Sequence, residues 1–105
     1  MIPGSWTDAT ITYLTDADLT AAVDLGRDYE TLLIQIPTID SSTLILHACE
    51  TLGGTYYPVG NSVSIAASTG GFTDVWDIGG VRYIKIETGT DQTANRTFRV
   101  RGVRS

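Results

Sequence analysis

The sequence predicts an all-β domain, an antiparallel two-sheet β-sandwich of jelly-roll type built from eight or nine short strands. Three observations point there. Helical periodicity is almost absent, apolar residues recur at every second position in short runs, and clusters of Gly, Asp, Ser and Thr separate those runs. Regular spacing of short alternating runs between turn signals is the pattern of a sandwich and not of an α/β fold.

In chain order, "ATITYL" reads as the first clear strand. The segment "TDADLTAAVDLG" fits a helix with Asp16 as cap, but Val23 and Leu25 alternate and Gly26 stops the run, so it reads as a strand. "ETLLIQIP" puts Leu32, Ile34 and Ile36 on one face and ends at Pro37. "STLILHACE" sets Leu44, Leu46 and Ala48 against Ile45, His47 and Cys49; apolar character on both faces predicts a strand covered on both sides. "TLGGTYYPVG" reads as a turn, with Gly53 and Gly54 available for positive φ, followed by a short aromatic strand. "SVSIAAS" pairs Val63 with Ile65, and Gly70–Gly71 marks a turn. "FTDVWDIGG" places Phe72, Trp76 and Ile78 together, with Asp74 interrupting. In "VRYIKIE", Ile84 and Ile86 oppose Tyr83, Lys85 and Glu87. In "RTFRVRGV", Phe98 and Val100 oppose Arg99, Arg101 and Val103. If "TGTDQTAN" joins these last two runs as a hairpin, Arg99 or Arg101 falls opposite Glu87.

At 105 residues the chain is one domain, 1–105, with 1–8 a candidate docking arm. Its 12 carboxylates outnumber 7 Lys and Arg, for a net charge of −5, which disfavours nucleic acid as a partner. The charge is unevenly spread. Residues 1–80 carry ten carboxylates and one base, Arg27, a net of −9; residues 81–105 carry six bases against Glu87 and Asp91, a net of +4. Such polarity invites either cross-strand neutralisation or contact between copies. The single cysteine, Cys49, excludes an intrachain disulfide. The start "MIPGSWTDAT" has no signal-peptide pattern and no apolar run reaches membrane-spanning length, so synthesis in a reducing cytoplasm and no membrane partner are expected.

Chemistry-bearing constellations are sparse. His47 and Cys49 share a strand face, but they lie in an apolar run where substrate has poor access, and one His with one Cys supplies half of a zinc site. Asp16 and Asp18, or Asp24, Asp28 and Glu30, are calcium candidates without the spacing of a known loop. Asp74 and Asp77 flank Trp76, yet no cleft-forming insertion accompanies them as glycoside hydrolysis would need. "NRT" at 95–97 fits a glycosylation acceptor without a secretory context. No cofactor, metal or enzymatic activity is therefore expected. The aromatic residues offer sugar stacking, with Tyr56, Tyr57 and Trp76 as the candidate glycan-binding set.

The stretches "LGRDYETLLIQIP", "ETLGGTYYPV", "GGVRYIKI" and "FRVRGVR" resemble small tailed-phage virion proteins of the head decoration, or cement, kind. "GGVRYIKIE" is also similar to strands of discoidin-type carbohydrate-binding jelly rolls, which are larger and usually closed by a disulfide this chain cannot form. The first resemblance implies a virion structural protein that binds the assembled head in many copies, with the major capsid protein or another virion protein as partner and self-association on the particle. Ile2, Trp6, Arg99, Arg101 and Arg104 are the candidate partner-binding residues. The second implies a carbohydrate-binding or adhesion module of a tail or receptor-binding structure.

Overall fold

The computed structural model describes residues 2–59 and 64–104. Among the described residues six strands run in the order β1 (Ile2–Pro3), β2 (Thr7–Ile11), β3 (Val23–Cys49), β4 (Tyr57–Pro58), β5 (Ser64–Thr88) and β6 (Arg96–Arg104), all paired antiparallel. Two of them are far longer than the sequence predicts. β3 and β5 each pass from one layer of the sandwich to the other and back, and their pairing shifts register where they cross, as between Asp24 and Tyr29 and between Thr38 and Ser42, while the sheet folds over on itself.

The register shows the two layers. In the first, β2 lies beside β6 (Asp8 opposite Arg99), β6 beside β3 (Val100 opposite Ile34), and β3 beside the middle of β5 (Leu32 opposite Trp76). In the second, β3 from Thr43 to Cys49 lies between two stretches of β5: Leu44 faces Ile65 on one side and Thr88 on the other. Val23–Asp24 and β4 extend this layer, opposite Ile84–Tyr83 and Ala48–His47.

Three of the four crossings fall where the backbone takes positive φ, at Gly26, at Ser68, Gly70 and Gly71, and at Gly79–Gly80; the second crossing of β3, between Thr38 and Ser42, is marked by a register shift instead. Gly70 has a second reason to lack a side chain, since a methyl there would run into the Pro37 carbonyl oxygen. Gly70–Gly71 is therefore a bend within a paired strand and not the turn the sequence suggests. Gly53 and Gly54 are not among the positive-φ glycines; their turn closes through Gly54 N–H donating to the Thr51 carbonyl at 3.3 Å.

Between the layers lies the core that alternation predicted: Leu32, Ile34, Leu44, Leu46, Ile84, Ile86, Phe98 and Val100 are all buried. Each such side chain contributes roughly 1.5–3 kcal/mol of burial free energy. Ile65 packs against this core half-buried; Val63 lies outside the described residues. The segment before Val23 is not a regular strand. Leu19 makes one bridge to Glu87, and Thr20 exchanges hydrogen bonds with Ile86 across the sheet edge.

The expected hairpin between the last two runs does not form. Ile84–Thr88 ends in the second layer and β6 begins in the first, so residues 89–95 carry the chain across the sandwich. Buried Gln92 anchors that loop. Its Oε1 accepts from Asp40 N–H at 2.8 Å and from Arg96 Nε at 3.2 Å, while its Nε2 donates to the Thr90 carbonyl at 3.0 Å. Glu87 consequently meets His47, and Arg99 meets Asp8.

Candidate functional site

The bends that move the chain between layers also build a concavity at the surface. The crossing at Gly26–Asp28, the crossing at Gly79–Gly80 and the turn after β3 converge at one end of the sandwich, because Tyr29 pairs with Val81 while Tyr83 lies opposite both Asp24 and Cys49. They enclose an open groove of about 830 Å³, within the range of small-ligand sites.

Tyr57 stands in this groove with 69% of its surface exposed, and Tyr83 supplies a second ring on the wall. Thr51 and Thr55 add hydroxyls, Asp28 and Glu50 carboxylates, and Arg82 a guanidinium. Arg82 is held in place: its Nε and Nη2 donate to the two Asp24 oxygens at 2.8 and 3.1 Å, and its guanidinium lies 5.1 Å from the centre of the Tyr83 ring. That fork raises the Arg82 pKa. The same two hydrogen bonds, with Gly26 N–H donating to Asp24 at 2.8 Å, hold the Asp24 carboxyl below its ordinary range.

Of the candidate glycan residues, Tyr57 lines the groove. Tyr56 lies beside the groove without lining it; Lys85 Nζ sits 4.8 Å from the centre of its ring and its hydroxyl donates to the Leu52 carbonyl at 2.7 Å. Burial first, then Cys49, Tyr83 and Asp24 nearby, push the Tyr56 pKa up. Trp76 faces inward opposite Leu32 and packs half-buried against the core, apart from both tyrosines. The groove residues that sequence reasoning did not assemble are Glu50, Thr51, Thr55, Arg82 and Tyr83. They form no motif and meet only through the bends. Asp28 was visible as a carboxylate near others, but its calcium grouping dissolves because Asp24 is tied to Arg82.

The candidate partner residues sit on the outer face of the first layer and along β6. Arg101 Nε donates to the Gly4 carbonyl at 2.7 Å and its guanidinium lies 5.8 Å from the half-buried Trp6 ring. Gly4 N–H donates in turn to the Gly102 carbonyl at 2.7 Å, so residues 2–4 are laid along β6. Arg99 Nε is 3.2 Å from Asp8 Oδ1, with half or more of both side chains exposed. The backbone of Ile2 pairs with Arg104; the Ile2 side chain lies outside the described residues.

His47 and Cys49 share a face and are half-buried, but they are not joined. His47 Nε2 lies 3.0 Å from Glu87 Oε1, while Cys49 Sγ is 3.9 Å from Thr51 Oγ1. No helix among the described residues is long and apolar enough to cross a membrane.

No family model matches the chain, and no curated protein matches it in sequence. Solved structures do share its fold. The SPBc2 prophage-derived protein YomS superposes with a TM-score of 0.59 at 14% identity, over 97% of this chain and 95% of that one. The family 32 carbohydrate-binding module of Clostridium perfringens NanJ, in complex with galactose, gives 0.57 at 13% identity over 90% and 76%. A family 89 glycoside hydrolase from C. perfringens gives 0.54 at 15% identity over 97% of this chain, which spans 12% of the hydrolase. At these identities the likeness is one of fold. It places the chain among antiparallel β-sandwiches.

Proposed function

We propose that this chain is a non-enzymatic binding module that holds a saccharide in the loop-end groove and serves attachment on a phage tail or receptor-binding structure. The carrying observation is Tyr57, a largely exposed ring inside a groove whose lining also holds threonines, two carboxylate residues and Arg82. A flat ring covers the apolar C–H face of a pyranose, while the surrounding polar groups exchange hydrogen bonds with its hydroxyls. The shared fold with a prophage-derived protein and with a galactose-bound module supports this reading. A glycan array probed with the isolated domain and with Tyr57→Ala tests it. Saccharide-specific binding that the variant loses by about tenfold, the worth of one aromatic contact, supports the proposal. Absence of binding to any saccharide rejects it.

A second reading, a decoration protein on the assembled head, is favoured by the prophage-derived neighbour, which is matched over nearly its whole length. Arg99 is then the contact residue of choice. Its exposed pair with Asp8 can be exchanged for a neighbour's carboxylate, whereas Arg101 is engaged by Gly4 and Trp6. Sedimentation of heads with Arg99→Glu addresses this reading; unchanged occupancy at moderate and high salt speaks against it.

A further inference from the structure

Among the described residues, the charged side chains lining the groove are Asp28, Glu50 and Arg82. Both donor edges of Arg82 that face Asp24 are used, so its charge is matched by a carboxylate outside the groove wall. Asp28 and Glu50 are exposed and belong to none of the ion pairs found among the described residues. The groove therefore presents a negative potential, in a protein whose net charge is already −5. A uronate or sialate carboxylate entering it meets repulsion. A neutral sugar meets hydroxyls, N–H groups and carboxylates to which it can hydrogen-bond, but no gain in charge pairing. A sugar ammonium meets the same groups and two carboxylates, Asp28 near Arg82 and Glu50, that outnumber the one groove cation, and its pyranose ring still has Tyr57 to stack on.

We infer that the groove selects saccharides bearing a free amine, hexosamines and their oligomers, over N-acetylated and acidic ones, with Asp28 and Glu50 as the discriminating residues. This rests on the groove being the saccharide site. Solvent-exposed charge pairs are worth about two- to fivefold each, so the two carboxylates together give a preference of about tenfold at low salt.

The test is calorimetric titration of the domain with short glucosamine oligomers, their N-acetylated counterparts and galacturonate oligomers of equal length, at low and high salt. The expected result is tightest binding of the amine form, with the preference lost at high salt and in Asp28→Asn/Glu50→Gln. Asp77→Asn/Asp91→Asn removes the same charge from exposed positions elsewhere and should keep the preference; loss of the preference there assigns it to net charge and overturns the inference. Equal or tighter binding of the N-acetylated or galacturonate oligomers overturns the inference while leaving the groove as a saccharide site. Failure of all three to bind overturns the inference, while the glycan array decides separately whether the groove takes any other saccharide.

Discussion

Placing β6 beside β3 depends on one close packing arrangement that a methyl group can probe. Gly102 lies opposite Leu32, and the ring of buried Tyr29 lies directly on it, so a Cβ at position 102 would overlap the ring. Tyr29 also packs beneath Gly4, which closes the other side of its hydroxyl end and leaves the ring little room to withdraw. Gly102→Ala forces a displacement of the ring or of β6, an overpacking cost of about 1–3 kcal/mol. For a domain of this size that is a fall in Tm of roughly 4–20 °C. Thermal and urea unfolding of Gly102→Ala, Tyr29→Leu and the double variant form a cycle. The alanine should cost markedly less in the leucine background, because the planar ring that it strikes is gone. Additive effects, or a Gly102→Ala protein as stable as the parent, would refute this packing and with it the β3–β6 pairing.

Three further outcomes follow from the same structure. Gly70 and Gly71 share positive φ, but only Gly70 faces a carbonyl oxygen, so Gly70→Ala should destabilise more than Gly71→Ala, whose strain cost is about 1–2 kcal/mol; equal urea midpoints would contradict this. Asp40 accepts from Thr93 N–H and Oγ1 at 2.8 and 2.9 Å, and these bonds, then Arg96, lower its pKa, as Arg82 lowers that of Asp24. A depressed folded pKa contributes stability above the ordinary value of 3.8 that is lost as pH falls through the folded value, so the parent should lose Tm below about pH 4 faster than Asp40→Asn. Asp18 behaves oppositely: burial, then Asp16, raise its pKa, so ionised Asp18 opposes folding above pH 3.8, and Asp18→Asn should raise Tm at neutral pH and lose that advantage in acid.

Much of the core was legible in the sequence because alternation in a strand assigns side chains to faces without reference to partners. Leu32, Ile34 and Ile36, then Ile84 and Ile86, then Phe98 and Val100 are buried as their spacing requires. Pairing was less legible. Two amphipathic runs joined by a polar loop read as a hairpin, whereas Gln92, a polar residue buried at 3% exposure, and Thr93 bond to Asp40 and help carry the chain across instead. The glycine pairs were recognised as breaks, but whether positive φ gives a turn or a bend depends on whether neighbouring strands continue past it. The groove was the least legible part. Tyr57 was singled out as an aromatic after a turn, whereas Glu50 and Arg82 belong to segments with no shared motif and meet through the crossings at Gly26 and Gly79–Gly80. Trp76 was chosen on residue type, and its position opposite Leu32 turns it inward.

The central claim is that the loop-end groove holds a saccharide. Its most direct test is a titration of the isotopically labelled domain followed by NMR, with the glycan that scores highest on the array. The account predicts shift changes concentrated at Thr51, Thr55, Tyr57, Gly80 and Arg82, and none of comparable size in Tyr57→Ala. Changes centred on Arg99 and Arg101 along β6, or no changes at saturating saccharide, would contradict it.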